Sequence, residues 1–313
     1  MKGLELSEKY YNACGKEVLE RDFAEILPHI AVGMVGQGSE CLGFDDALSQ
    51  DHDFEPGFTI FLPGEEVVDR RAEFLLERAY TKLPKEFEGY ERNGLKPAGG
   101  PRHGVVRLSE FLMKTIGRPD GNLTVRDWFA IPEQSLLEVT DGALFYDGSG
   151  VFTGIRERLA KMPEPIRLKK LSACLLMMSQ TGQYNYRRLV DRGDERGAQL
   201  CVIEFEKQAR HAAFLVNHRY MPYYKWSYRA LSELPVLSEL SDRLYTLIST
   251  GNAAQEAVRK AELIDDIAAR IICELQDRNL TDAICADLQK HAFSVNDHIA
   301  DGNIRNMDLF AAL

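Results

Sequence analysis

The sequence has no long hydrophobic run. Nowhere do roughly eighteen apolar residues pass without a charge, the length a membrane-crossing helix needs, and the opening MKGLELSEKYY has no apolar signal core. A cytoplasmic protein with no membrane partner is expected. There is no surplus of positive charge either, since 38 Lys and Arg against 48 Asp and Glu leave a net charge of -10. Phosphate backbones and anionic lipid surfaces are held by dense basic surfaces, so broad nucleic-acid binding is not expected, although a local basic pocket is compatible with that balance. The six cysteines (Cys14, Cys41, Cys174, Cys201, Cys273 and Cys285) form no C-x-x-C pair, and no histidine stands at ligand spacing from them. They read as buried thiols of a reducing compartment, not as a zinc site or a disulfide frame. Internal repeats and low-complexity tracts are also missing.

What remains is a chain of 313 residues with 45% hydrophobic and 27% charged content, ordinary for a folded protein and long enough for two domains. Residues 6–27 carry helical periodicity up to Pro28. The apolar IAVGMV (30–35) and FTIFL (58–62) read as strands, and VVDRRAEFLLERAYTKL between 67 and 83 as an amphipathic helix. A Gly-, Pro- and Arg-rich loop follows over 88–103. GVVRL and GALFYD are two further strands, with helices expected over 109–116 and 128–139 between them. Beyond about residue 153 every segment is helical in period, and Pro163 and Pro165 mark a hinge. The expected class is α+β: a mixed sheet with helices over 1–160, then an all-α bundle over 161–313.

The chemistry concentrates in GQGSECLGFDDALSQDHDFEPGF (36–58). In an extended segment, residues two apart share a face, so Asp51 and Asp53 would project together with His52 behind. Two adjacent carboxylates repel, and a divalent cation relieves them. Mg²⁺ is typically held by one or two carboxylates together with substrate phosphate oxygens. Gly38 and Ser39 follow a strand, at the expected start of a short helix, where backbone N–H groups and a hydroxyl can bind phosphate. Gly36 and Gly38 lack a Cβ and permit close approach. Either feature alone is common in structural loops; their order beside two strands is what points to a metal-bound nucleoside triphosphate. Asp45 and Asp46 read as a solvated turn or a helix cap.

The order VGQGSE then DHDF resembles the signature of the DNA-polymerase-β-like nucleotidyltransferase superfamily. GALFYDGSGVFTGIRERL is similar to the strand-turn-helix that closes this domain in aminoglycoside-type nucleotidyltransferases. GSECLGFDD, DHDF, GQYNYRRLVDRGD and NHRYMPYYKW resemble a bacterial domain-of-unknown-function family, numbered 4037, that is assigned to the same superfamily. The resemblance spans most of residues 1–250. It implies a nucleotidyltransferase fold, triphosphate contacts from Gly38 and Ser39, and Mg²⁺ on Asp51 and Asp53. Many members carry a third acid on a neighbouring strand. GVVRL is the expected strand here, and it has Arg107 in that neighbourhood, with Glu110 a turn beyond.

In the helical half, GQYNYRRLVDRGD gathers Gln183, Tyr184, Arg187, Arg188 and Arg192. It is either a cleft wall whose arginines neutralise phosphate, or a solvated helix end whose arginines pair with Asp191, Asp194 and Glu195. Glu204, Gln208 and His211 fall at i, i+4 and i+7, a polar stripe. By placement, and by analogy with the helical-domain carboxylate of aminoglycoside nucleotidyltransferases, Glu204 is the candidate general base; an ordinary exposed face is the alternative. In NHRYMPYYKW, Lys225 is the candidate partner for a β- or γ-phosphate, beside aromatics that more often serve as core anchors.

Together these readings predict a Mg²⁺-dependent nucleotidyltransferase. It would move AMP from ATP, bound between the two domains, to a hydroxyl of a small-molecule acceptor. The competing expectations are a nucleotide-binding sensor that keeps the pocket without turnover, and a protein-interaction module built on the bundle.

Overall fold

The computed structural model describes residues 1–50, 54–92 and 103–312; of Gln50 and Ala254 only the backbone is described. The expected α+β class holds. The chain divides into two compact units, 1–124 with 131–161, and 125–130 with 162–313.

The first unit opens with α1 (Gly3–Tyr10), which runs through a π-helical turn, Tyr11–Gly15, into α2 (Lys16–Asp22). The helix therefore begins earlier and ends earlier than the periodicity over 6–27 predicts. It begins early because the carboxylate of Asp45 accepts the Gly3 N–H at 2.7 Å, satisfying an otherwise orphaned first-turn donor. It ends at Phe23, which leaves helical geometry, and Pro28 lies in a separate 3-10 turn, Leu27–His29.

Four strands form the main sheet: β1 (Ala31–Met34), β2 (Thr59–Leu62), β5 (Gly104–Arg107) and β6 (Ala143–Asp147), in the order β5-β2-β1-β6. A short hairpin, β3 (Glu86–Phe87) with β4 (Tyr90–Glu91), stands apart from it. β1 is antiparallel to β2 and β6, while β2 and β5 are parallel, so the sheet is mixed. β1 and β2 are buried along their whole length, which explains continuous apolar runs in place of alternation. Ile60 and Leu62 join Tyr10, Tyr11, Leu19, Val32, Leu76 and Tyr80 on one face, the last two from α3 (Arg70–Thr81). On the other face Phe61 meets Phe111 of α4 (Leu108–Ile116) with ring centroids 5.3 Å apart. It also meets Phe152 of α7 (Val151–Leu159) at 4.8 Å.

The helix expected over 128–139 is two helices. α5 (Val125–Ala130) belongs to the second unit and α6 (Glu133–Thr140) to the first. Pro132, extended at the α6 N-cap, makes the break, because it forces the residue before it out of helical geometry.

The regular elements of the second unit are all helices among its described residues. α8 (Glu164–Met178) continues through an eight-residue π-helix, Ser179–Tyr186, into α9 (Arg187–Asp191). α10 (Glu195–Val216) packs on α8, and α11 (Tyr224–Ser232), α12 (Leu240–Ser249), α13 (Ala254–Asp277), α14 (Leu288–Asp297) and α15 (Gly302–Arg305) complete the bundle. Two fully buried lysines tie it together by hydrogen bonds to neutral oxygens. Lys169 Nζ donates to Asn296 Oδ1 at 2.9 Å and to the carbonyls of Arg305 and Met307. Lys260 Nζ donates to Gln199 Oε1 at 2.6 Å and Asn252 Oδ1 at 3.0 Å.

All six cysteines are free thiols. Only Cys174 is buried, beside His211 Nδ1 at 3.4 Å, and Cys273 and Cys285 are exposed, so the expectation of uniformly buried thiols is corrected.

Candidate functional site

Strand register decides which residues can meet. Gly33 lies opposite Thr59, Thr59 opposite Gly104, and Met34 opposite Ala143. The end of β1 is therefore level with the beginnings of β2, β5 and β6, and the turn after β1 shares this sheet end with the approach to β2. Gly36 and Gly38 have φ of 128° and 135°, backbone that side-chain-bearing residues rarely adopt. Among the described residues, no hydrogen bond uses the N–H groups of Gly36, Gln37, Gly38 or Ser39. The expected short helix at Ser39 is instead a closed turn over 39–43, in which the Ser39 carbonyl accepts the Phe44 N–H at 2.8 Å. An anion placed here would meet no helix dipole, only the N–H groups that are unbonded among the described residues.

Asp51 and Asp53 lie outside the described residues. Their flanks are anchored. Asp46 caps the 3-10 turn Ala47–Gln50 through the N–H groups of Leu48 and Ser49 at 2.9 and 3.2 Å. Phe54 stacks edge-on against Tyr90 with centroids 5.0 Å apart. β2 begins only at Thr59, so the D-x-D precedes the strand and is not carried on it. Asp45 departs from the reading as a solvated turn residue: it is 2% exposed, bonded to Gly3 and paired with Lys2 Nζ at 3.3 Å. Of the two neighbouring aspartates, one caps the first helix of the unit and the other its own turn.

The register also corrects the search for a third acid. Arg107 lies opposite Leu62, three residues or about 10 Å along the strand from the turn end. Its guanidinium is spent on structure, donating to the carbonyls of Pro63 and Val68 at 2.8 and 2.9 Å and to Glu73 Oε2 at 2.6 Å. Glu110 is exposed in the first turn of α4. Asp147 ends β6 at the far end and caps α7 through Thr153.

Two residues that sequence reasoning left unassigned do stand at the turn end. His103 immediately precedes β5 and packs so closely over Gly57 that a Cβ there would lie 2.6 Å from its ring. Glu138, near the end of α6, accepts from Gln37 Nε2 at 3.4 Å. Half-burial pushes the Glu138 carboxyl above the ordinary glutamate range, with the Gln37 amide and Lys114 pulling the other way. Its place is set by Arg156, whose guanidinium binds the carbonyls of Val139, Thr140, Asp141 and Gly142 at 2.7 to 3.1 Å. Gly142 in turn donates to the Cys41 carbonyl at 3.1 Å, and a Cβ on it would fall 2.1 Å from the Met34 carbonyl oxygen. The glycine-serine turn is thereby stitched to the α6–β6 junction. A residue at i+101 carries no local spacing signal, so Glu138 was not findable by motif.

The helical-unit candidates are not drawn together by any hydrogen bond or ion pair among the described residues. Arg188 is exposed, its guanidinium 4.7 Å over the ring of Tyr184. Arg187 pairs with Asp265, not with the acids expected nearby, and Asp194 caps α10 through Gly197. Gln183 holds the start of α14 by bonds to the Ala286 carbonyl at 2.7 Å and the Leu288 N–H at 2.9 Å. Lys225 is exposed, its ammonium 4.9 Å over Trp226. The polar stripe on α10 is split: Glu204 is exposed, whereas Gln208 is buried. The carboxylate turned inward is Glu206, bonded to Arg210 Nε at 2.7 Å. Arg210 reaches Ser227 Oγ and lies 5.3 Å over the Tyr228 ring, which fastens α10 to α11.

Residues 128–227 match the family described as "Domain of unknown function (DUF4037)". The matched stretch includes Glu138, Arg156, the π-helical GQYN stretch and the Glu206–Arg210–Ser227 cluster, while the glycine-serine turn and the D-x-D precede it. The chain is also similar to the crystal structure of a nucleotidyltransferase-like protein from Exiguobacterium sibiricum 255-15. That likeness has a TM-score of 0.35 and 14% identity, over 94% of this chain and 81% of that one. No curated protein matches the chain. Among the described residues no helix is long and apolar enough to cross a membrane.

Among the described residues, Glu138 gives the turn a carboxylate, a hard oxygen donor of the kind Mg²⁺ takes alongside phosphate oxygens. Among the described residues no group of three or more His, Cys, Asp or Glu side chains is arranged to hold a metal ion.

Proposed function

We propose that the chain is a Mg²⁺-dependent nucleotidyltransferase that transfers AMP from ATP to a hydroxyl of a small acceptor. The observation that carries this reading is the register. It brings the Gly36–Ser39 turn, whose N–H groups make no hydrogen bond among the described residues, to the same sheet end as the start of β2, the strand that the D-x-D precedes in the sequence. In this reading Gly38 and Ser39 hold the triphosphate, Asp51 and Asp53 hold Mg²⁺, and Arg188 and Lys225 neutralise phosphate charge. Mg²⁺, when bound, supplies charge neutralisation and polarisation of the phosphate oxygens. The acceptor oxygen forms a bond to the α-phosphorus as the bond to the β-phosphate bridge oxygen breaks, and pyrophosphate leaves. The acceptor proton passes to a carboxylate. Glu204 is the candidate because it is free of the ion pair that occupies Glu206.

The test is a thermal shift with MgATP, coupled to pyrophosphate release over a panel of hydroxyl metabolites. The expected result is a Mg²⁺-dependent shift in the wild type, lost in Asp51→Asn/Asp53→Asn, and release with at least one acceptor that Glu204→Gln slows. An unchanged shift in the double variant refutes the metal assignment. A shift without release from any acceptor supports the nucleotide-binding sensor, and no shift at all supports the interaction module.

A further inference from the structure

The carboxylate of Glu138 stands beside a turn that, in the reading above, holds an anion, and the inference rests on that reading. Three features make its position unusual. The side chain is half-buried at the end of α6 and touches the turn itself, through Gln37 Nε2 at 3.4 Å. The α6 terminus cannot swing away, because Arg156 binds four consecutive carbonyls there and Gly142 is pressed against β1. Lys114, the described cation acting on it, is exposed on α4 and does not offset the cost of half-burial.

A fixed carboxylate beside a phosphate-holding turn opposes the binding of a bare phosphate chain, since like charges in a half-buried site repel more strongly than in water. The same carboxylate favours a chain that arrives with a cation, because a cation would be attracted to both anions. We propose that Glu138 is a specificity residue that makes the Gly36–Ser39 turn accept metal-complexed nucleoside triphosphate and reject the metal-free form. The selectivity belongs to the charge of Glu138 and not to its hydrogen bond with Gln37, which a glutamine at 138 could also accept.

The experiment is equilibrium binding by calorimetry with two probes, ATP with Mg²⁺ and ATP with EDTA, on the wild type and three variants. Metal-free ATP carries about twice the negative charge of its magnesium complex, so removing one carboxylate relieves it more. Glu138→Gln is expected to tighten metal-free ATP and to narrow the preference for MgATP by about tenfold, the order set by one charge a few ångströms away. Glu138→Asp keeps the charge and is expected to keep the preference. Gln37→Ala removes the contact but not the charge, and is likewise expected to keep it. If wild type and Glu138→Gln both bind MgATP with the same preference over metal-free ATP, the assignment of Glu138 is overturned and the nucleotide reading stands. If Gln37→Ala narrows the preference as much as Glu138→Gln does, Glu138 acts only by shaping the turn and the assignment is also overturned. If the wild type binds ATP under neither condition, the nucleotide reading fails and takes this inference with it.

Discussion

Arg107→Met is the substitution whose cost the structure specifies best. Arg107 is 5% exposed and makes three bonds, two to the carbonyls of Pro63 and Val68 and one to Glu73, whose side chain is 22% exposed. Methionine retains an apolar stem of similar reach, so packing is largely kept and the loss is polar. Each carbonyl left without its donor costs roughly 1 kcal/mol, and the partly solvated ion pair about 1 more, for a total near 3 kcal/mol. Arg107→Asp should cost more, since a carboxylate would then face Glu73 and the two carbonyls with no donor among them. Both tryptophans, Trp128 and Trp226, lie in the second unit, so their fluorescence would report on the wrong half of the chain. Amide hydrogen exchange of peptides covering β2 and β5, followed by mass spectrometry, reads the first unit directly. A loss of less than about 1 kcal/mol in Arg107→Met would refute the structural role. Magnesium-dependent turnover gained in Arg107→Asp would refute the register argument, because it would mean that the position reaches the metal.

Two further outcomes follow from single contacts. Gly142→Ala places a methyl group 2.1 Å from the Met34 carbonyl oxygen at φ +74°, so β1 and β6 must separate; a loss of roughly 2–4 kcal/mol is expected, read by faster exchange in the β6 peptide. The buried guanidinium of Arg167 holds the Glu164 carboxyl below the ordinary glutamate range. That pair's contribution is present above an unfolded-state pKa of about 4.3 and is lost as pH falls through the depressed folded value. Wild type should therefore exceed Glu164→Gln in urea resistance at pH 7 and lose that margin on acidification, measured by tryptophan fluorescence of the second unit; a margin constant down to low pH would contradict the pairing.

Short buried strands were legible because an apolar run of four to six residues cut by Gly, Pro or acidic residues leaves few alternatives to a strand covered on both faces. Ile30, Val32, Ile60 and Leu62 behave in this way. The π-helical turns at 11–15 and 179–186 were not legible. Over one or two turns their apolar spacing is indistinguishable from that of an α-helix, and it is tertiary fit that selects the wider turn. The orientation of α10 failed for a related reason. Leu200 and Ile203 are exposed while Glu206 and Gln208 are buried, so polarity along this helix does not report which side faces the bundle. Glu204 and Glu206, two residues apart, point to roughly opposite sides, and the sequence alone does not choose between them.

For the site, composition and order were informative and direction was not. A glycine-serine turn after a strand and two spaced acids before the next can be read along the chain, and the antiparallel pairing of β1 with β2 puts the turn and the start of β2 at one sheet end. Whether GVVRL presents its first or its last residue to that end depends on its being parallel to β2, a pairing between residues 59–62 and 104–107 that no local pattern encodes. An assumed third acid at Arg107 depends on that choice, and the parallel pairing puts Gly104 at the turn and Arg107 at the far edge. The same logic explains why Glu138 escaped notice. It reaches the turn only because β6 runs antiparallel to β1, which returns the end of α6 to residue 37. Among the described elements the α6–β6 junction lies at the Met34 end of the sheet, and through Glu138 it puts a carboxylate in contact with the turn.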